Sequence, residues 1–167
     1  WKPIGVTKDG RKDLKNGENL NAFSGIFDGN NHTVTVPEGG LPLFGYVRNT
    51  RIRNLNIYGK KIAGYGLVNN FEGVGLSGMA VEIDNVTLKS GSSTLKSGLL
   101  GANKTMSPYA GCSSAFEATV RNCTIEKDVV IGYDRNENEI GAIAGRMQGT
   151  VENCISYATV YGSSYVG

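Results

Sequence analysis

The chain writes one short phrase four times. Ile52 to Gly59 reads "IRNLNIYG", Ile83 to Leu88 "IDNVTL", Val120 to Gly132 "VRNCTIEKDVVIG" and Val151 to Gly162 "VENCISYATVYG". Each copy opens with an apolar residue, a charged residue, Asn, and then an apolar residue or Cys. The asparagines are Asn54, Asn85, Asn122 and Asn153, so the steps are 31, 37 and 31 residues. Self-similarity at such a period means a solenoid, a propeller or an array, because one unit of this size cannot bury its own apolar face.

A second marker precedes each copy: "LFG" at Leu43, "LVN" at Leu67, "LLG" at Leu99 and "IAG" at Ile143. Its third position runs Gly45, Asn69, Gly101, Gly145. Gly and Asn take positive φ most readily, so these four are expected to be left-handed corners. The unit is therefore a corner, a variable connection, and a short strand with Asn near its start.

Alternating Val, Ile, Thr and Leu favour strands, and no segment has amphipathic helical spacing. The 24 glycines are about twice the usual share, with only four prolines, which fits many tight corners. A length of 167 residues carries one sizeable core, so residues 1–167 are read as a single segment. No apolar run approaches the roughly 20 residues that cross a bilayer as a helix. The net charge of +2 is too small to argue for nucleic acid, and no nucleic-acid-binding motif accompanies it.

Without its longest connections the unit is short. "EIG" ends at Gly141 and "YVG" at Gly167, a step of 26. Three short strands and three corners fit that length, whereas a propeller blade needs roughly 40 residues or more. The reading is an all-β fold, a right-handed parallel β-helix (β-solenoid) with minimal coils of about 26 residues and longer loop insertions. Parallel crossovers are nearly always right-handed, and equivalent residues of successive coils would stack about 4.8 Å apart.

Stacking gives the repeated letters a purpose. Asn54, Asn85, Asn122 and Asn153 would form a ladder of side-chain hydrogen bonds at one corner. Leu55, Val86, Cys123 and Cys154 would form an inward apolar column. The residues between, Arg53, Asp84, Arg121 and Glu152, alternate in sign and would face outward, which favours one register over its neighbours. Cys123 and Cys154 are read as free thiols on adjacent coils, acting as small hydrophobes; Cys112 lies in a long connection. No paired-Cys or His-rich spacing marks a metal site, and no cofactor is implied.

The corners "GLLG" (Gly98 to Gly101) and "GAIAG" (Gly141 to Gly145), each followed by "V-x-N-C", resemble GLUG-motif repeats. "WKPIG" at Trp1 and "FSGIFDGNNHTV" at Phe23 are similar to the opening that often leads into such repeats. Asn69 departs from the family's Gly, and two connections are unusually long. The family occurs in large bacterial cell-surface proteins, in adhesin-like proteins, and in non-catalytic regions of immunoglobulin A-cleaving metalloproteases. The resemblance implies an extracellular, secreted or surface-bound β-helical segment with no active site to transfer. "SSYVG" reads like the beginning of another repeat, so the remaining repeats of a longer parent chain are expected partners.

A glycan-degrading enzyme needs paired carboxylates. Asp84 and Glu152 share a column, but Arg121 stands between them, as in a charge ladder. The lone histidine, His32, and Asp28 sit in "DGNNHTV", where an Asx-type turn is expected. No catalytic residue is assigned.

Binding has better candidates. The connection from corner to strand spans residues 46 to 51 and 146 to 150 in the first and fourth units, but 70 to 82 and 102 to 119 in the second and third. Long insertions in repeat proteins gather on a binding face. The third carries Met106, Tyr109 and Phe116. A basic cluster, Arg48, Arg51, Arg53, Lys60 and Lys61, could attract an anionic glycan. The leading expectation is a non-catalytic stalk or adhesive segment contacting a host glycan or glycoprotein. The alternative is a substrate-positioning segment of a larger secreted hydrolase.

Overall fold

A computed structural model describes residues 1–5, 22–72, 81–101, 117–145 and 147–166. These residues form strands and connections without a helix. In chain order the first strands are β1 (Phe23–Asp28), β2 (Thr33–Thr35), β3 (Phe44–Tyr58), β4 (Val68–Glu72), β5 (Val81–Leu88), β6 (Ser93–Thr94) and β7 (Glu117–Arg121). There follow β8 (Thr124–Ile125), β9 (Val130–Ile131), β10 (Asn138–Ile140), β11 (Gln148–Glu152), β12 (Ile155–Ser156), β13 (Thr159–Val160) and β14 (Ser164–Val166).

The strand pairings are parallel, and each joins one unit to the next. The main sheet runs β1-β3-β5-β7-β11; a second runs β13-β9-β6 and a third β10-β14. Its register aligns the repeated phrases: Ile52 pairs with Ile83, Ile83 with Val120, and Val120 with Val151. The second marker stacks as well, through the bridges Phe44–Val68, Val68–Leu100 and Leu100–Ala144. Ile4 bridges Phe44 in the same series, so "PIG" is an earlier rung of that marker. Ile140 pairs with Val166, which makes the 26-residue step a parallel neighbour relation.

The repeated Asn is where the chain bends. Asn54, Asn85, Asn122 and Asn153 have φ of 52°, 52°, 55° and 51°. A regular strand sends residues i and i+3 to opposite faces. One left-handed residue between them turns the chain, so both point inward. Ile52 and Leu55 are buried in this way, as are Ile83 with Val86 and Val120 with Cys123. A side chain in this backbone region costs energy, and Asn tolerates it best after Gly. In β3 a second such residue, Asn49 at 45°, precedes Asn54. The stretch 46 to 51, expected as a connection, is therefore strand: β3 pairs with β4 through Phe44–Arg48 and with β5 from Thr50 onward.

The expected left-handed corners at Gly45, Asn69, Gly101 and Gly145 are corrected by these dihedrals. None of the four is among the positive-φ residues; in that column only Gly5, at 71°, is. Glycine is needed at Gly101 for closeness instead. A Cβ there would lie 1.8 Å from the Asn69 carbonyl oxygen, and Gly98 meets the Ala142 oxygen at 1.9 Å in the same way. The stacked backbones leave no room for a side chain at these positions.

The core lies between the stacked strands. Phe44, Phe71, Ile52, Leu55, Ile57, Ile62, Leu67, Ile83, Leu88, Leu99, Leu100 and Ile125 are its largest fully buried members. Phe23, Phe27 and Phe44 pack edge to face or tilted, with centroids 5.2–6.3 Å apart, and cover the β1 end. At the β11 end the same inward column is open: Val151 is 49% exposed although its partner Val120 is fully buried.

Candidate functional site

The most organised polar surface is the outward column beside the asparagines. Register places Asp28, Arg53, Asp84, Arg121 and Glu152 on successive strands. The sign alternates along all five. Arg53 Nε lies 2.8 Å from Asp28 Oδ2, and Arg121 Nε lies 3.0 Å from Asp84 Oδ2.

The adjacent ladder has a break. The Asn85 amide donates to Asn54 Oδ1 at 2.9 Å, and the Asn153 amide lies 3.5 Å from Asn122 Oδ1. The Asn122 amide does not reach Asn85. It donates to Asp84 Oδ1 at 2.8 Å, as the Asn54 amide donates to Asp28 Oδ1 at 3.1 Å. Each aspartate thus collects the Arg and the Asn of the next strand. Asp28 and Asp84 head two copies of one constellation.

This constellation sets the carboxyl groups' proton affinity. Asp28 is held below the usual carboxylate range, first by the Asn30 backbone N–H, then by the Asn54 amide and Arg53. Asp84 is held down chiefly by the Asn122 amide, with Arg121 adding to it. A carboxylate so stabilised is ionised at neutral pH and is a poor proton donor. The column's chemistry is mutual charge satisfaction. Exposed pairs of this kind are screened by solvent and contribute little, so they select register more than they stabilise.

Asp28 also accepts the Asn30 N–H at 3.0 Å, which is the expected Asx-type turn. Its second role, as first rung of the charge column, escaped the sequence reading. The signal was present: "FDG" is the apolar–charged opening with Gly29 where later copies have Asn. His32 is exposed; its backbone N–H donates to the Gly29 carbonyl and its own carbonyl accepts from Asn56.

The five basic residues do not converge on one free patch. Arg53 pairs with Asp28, and Arg51 pairs with Glu82. Lys61 sits over the Tyr133 ring at 5.3 Å, Lys60 is exposed, and Arg48 is half-buried on β3. Further cross-strand contacts follow the same outward logic: Lys96 with Glu137 at 3.2 Å, and Arg135 over Tyr161 at 4.2 Å. Met106, Tyr109, Phe116 and Cys112 lie outside the described residues.

Cys123 and Cys154 are free thiols. Burial pushes the Cys123 thiol up to about 12. Among the described residues no group of three or more His, Cys, Asp or Glu side chains is placed to hold a metal ion, and no helix is long and apolar enough to cross a membrane.

Comparison with protein-family models, with curated proteins and with solved structures gives no match.

Proposed function

We propose that the chain coils as a right-handed parallel β-helix and serves as a non-catalytic stalk or adhesive segment of a bacterial surface protein. The observation that carries this reading is the unbroken parallel register of the repeated phrase from β1 to β11. Every unit adds the same strand to the same sheet, which is how a stiff, extendable support is built. The right hand follows from the rule for parallel crossovers. The outward carboxylates support a non-catalytic role, since Asp28 and Asp84 are each bound by an Arg and an Asn. The likeness of the Gly-rich corners to GLUG-motif repeats supports the extracellular placement.

In this reading the inserted connections are the contact surface, above all the third one with Met106, Tyr109 and Phe116. Loops on a rigid scaffold are where repeat proteins put their ligand contacts. A host glycan or glycoprotein is the proposed partner. The test is a binding screen on immobilised glycans and mucosal glycoproteins, beside a variant lacking residues 103 to 118. Saturable binding lost with the loop is the expected result. Binding by neither protein would leave a spacer, and binding kept by the shortened variant would move the site off that loop.

A further inference from the structure

We infer that the outer face of the β6-β9-β13 sheet is a binding site for a carboxylated oligosaccharide, held by Lys61, Tyr133, Arg135 and Tyr161. The site rests on the adhesive reading above for its ligand class, but it lies on the coils and not on the third insertion.

Arg51, Arg53, Lys89, Lys96 and Arg121 each lie against a Glu or an Asp. Lys61 and Arg135 differ. Lys61 sits over the Tyr133 ring at 5.3 Å and Arg135 over the Tyr161 ring at 4.2 Å, and among the described residues no carboxylate pairs with either. One tight turn joins the two pairs. The Arg135 N–H donates to the Gly132 carbonyl at 2.9 Å directly after β9, with φ of 73° at Gly132 and 62° at Arg135. Gly132 is pinned against the next coil, since a Cβ there would lie 2.0 Å from the Tyr161 carbonyl oxygen. From this turn Tyr133 meets Lys61 of an earlier coil and Arg135 meets Tyr161 of the next. Ile62, Thr94, Ile131 and Val160 share one register, so the array from Lys61 to Tyr161 spans three strand spacings, about 14 Å. Half-buried Ser93, Leu95 and Val130 alternate with buried Thr94 and Ile131 and floor the outer side.

The chemistry of the array selects the ligand. Tyr133 and Tyr161 are half-buried, and tyrosine offers a flat apolar body with a polar tip, which suits the C–H face of a sugar ring and its hydroxyls. A sugar carboxylate supplies the acidic partner that Lys61 and Arg135 lack, through charge-assisted hydrogen bonds that arginine can make in pairs. Exposed Lys60 beside Lys61 adds to the positive charge. The nearby carboxylates are engaged elsewhere: Glu137 holds Lys96 at 3.2 Å, and Asp134 accepts the Asn136 N–H at 3.1 Å. A peptide added as a strand has no place here, because β9 is paired on both sides by β6 and β13. Recognition therefore runs through side chains.

The probes are an oligogalacturonate hexamer and its fully methyl-esterified form, which keeps the sugar rings and removes the charge. Titration calorimetry with the full chain should give saturable binding of the acid and about tenfold weaker binding of the ester. Lys61→Gln and Arg135→Asn should each weaken the acid about fivefold and leave the ester unchanged; Asn suits the left-handed backbone at 135. Tyr133→Leu should weaken both probes. Arg121→Gln, on another sheet, and removal of residues 103 to 118 should change neither. Lys61 and Arg135 are exposed, so their variants should keep the native circular dichroism spectrum and melting temperature. Absence of saturable binding of the acid would overturn the proposal. So would equal binding of acid and ester, acid binding unaffected by Lys61→Gln and Arg135→Asn, or its loss with the insertion. Glycoprotein binding in the screen above without hexamer binding here would sink this site and leave the adhesive reading standing.

Discussion

Two segments of this chain share the letters Val-x-Asn-Cys and the same backbone corner, yet their surroundings differ. Val120 and Cys123 are fully buried, whereas Val151 is half exposed and Cys154 partly so. Among the described residues, Asn122 holds two side-chain partners, Asp84 and Asn153, and Asn153 holds one, Asn122. The difference is the number of neighbouring strands. Among the described residues, β7 lies between β5 and β11, and β11 pairs with β7. In such a stack burial belongs to position in the series as much as to residue type.

The largest contrast should appear in thiol reactivity. With Cys112 replaced by Ser, Cys154 should react with an aromatic disulfide reagent at least about 100-fold faster than Cys123 in the native state. The Cys123 thiol, raised to about 12 by burial, should react only after unfolding. Equal rates would mean that the two positions open together.

Core truncation should come next. Ile83→Ala removes a fully buried side chain and should cost about 3 kcal/mol in denaturant unfolding. Val151→Ala in the same column should cost less than about 1 kcal/mol, because little apolar area is lost. A comparable loss at both sites would show that the β11 edge is covered in solution.

The corner asparagines sharpen the comparison further. Leucine in a left-handed backbone costs about 1–2 kcal/mol at either site. Asn122→Leu also strips Asp84 and Asn153 of a partner, for a total of about 2–3 kcal/mol. Asn153→Leu should stay near the strain alone. Glycine at either site keeps the dihedral, so Asn122→Gly isolates the hydrogen-bond share.

The smallest effect concerns pH. Folding depresses the Asp84 carboxyl below its ordinary value, and the unfolded value is about 3.9. Its contribution is therefore present above about pH 4 and is lost as pH falls through the lower folded value. Asp84→Asn should lower the melting temperature slightly at pH 7, and the gap to the native protein should close in acid. Glu152→Gln, with one neighbour, should change the melting temperature less. Arg121→Ala, which removes an exposed and screened charge, should lower the melting temperature less than Asn122→Leu.

Much of the architecture was legible because stacking copies letters. The four phrases, the 26-residue step from Ile140 to Val166, and the inward placement of Leu55, Val86 and Cys123 all follow from the pattern. Three things were not. The positive φ belongs to the ladder asparagines and not to Gly45, Asn69, Gly101 and Gly145. Glycine is demanded both by dihedral and by close approach, and the letters do not separate the two. Asp28 was hidden because Gly29 replaces Asn in the earliest copy and because its Asx turn was already a sufficient reason for an aspartate. The basic residues looked like a patch because Arg51 and Arg53 are close in sequence, while their acidic partners, Glu82 and Asp28, come from neighbouring units. The candidate contact residues of the third insertion rest on sequence alone.

The aspartate-led constellation has a genetic consequence. Asp28 with Arg53 and Asn54 recurs as Asp84 with Arg121 and Asn122, so the true period of the outer surface is two units. Duplicating or deleting a single unit would place like charges side by side and leave one amide facing the wrong rung. Copying two at once preserves every contact. A gene that lengthens or shortens this stack by unequal recombination should therefore retain its gains and losses in pairs, and even changes in repeat number should outnumber odd ones.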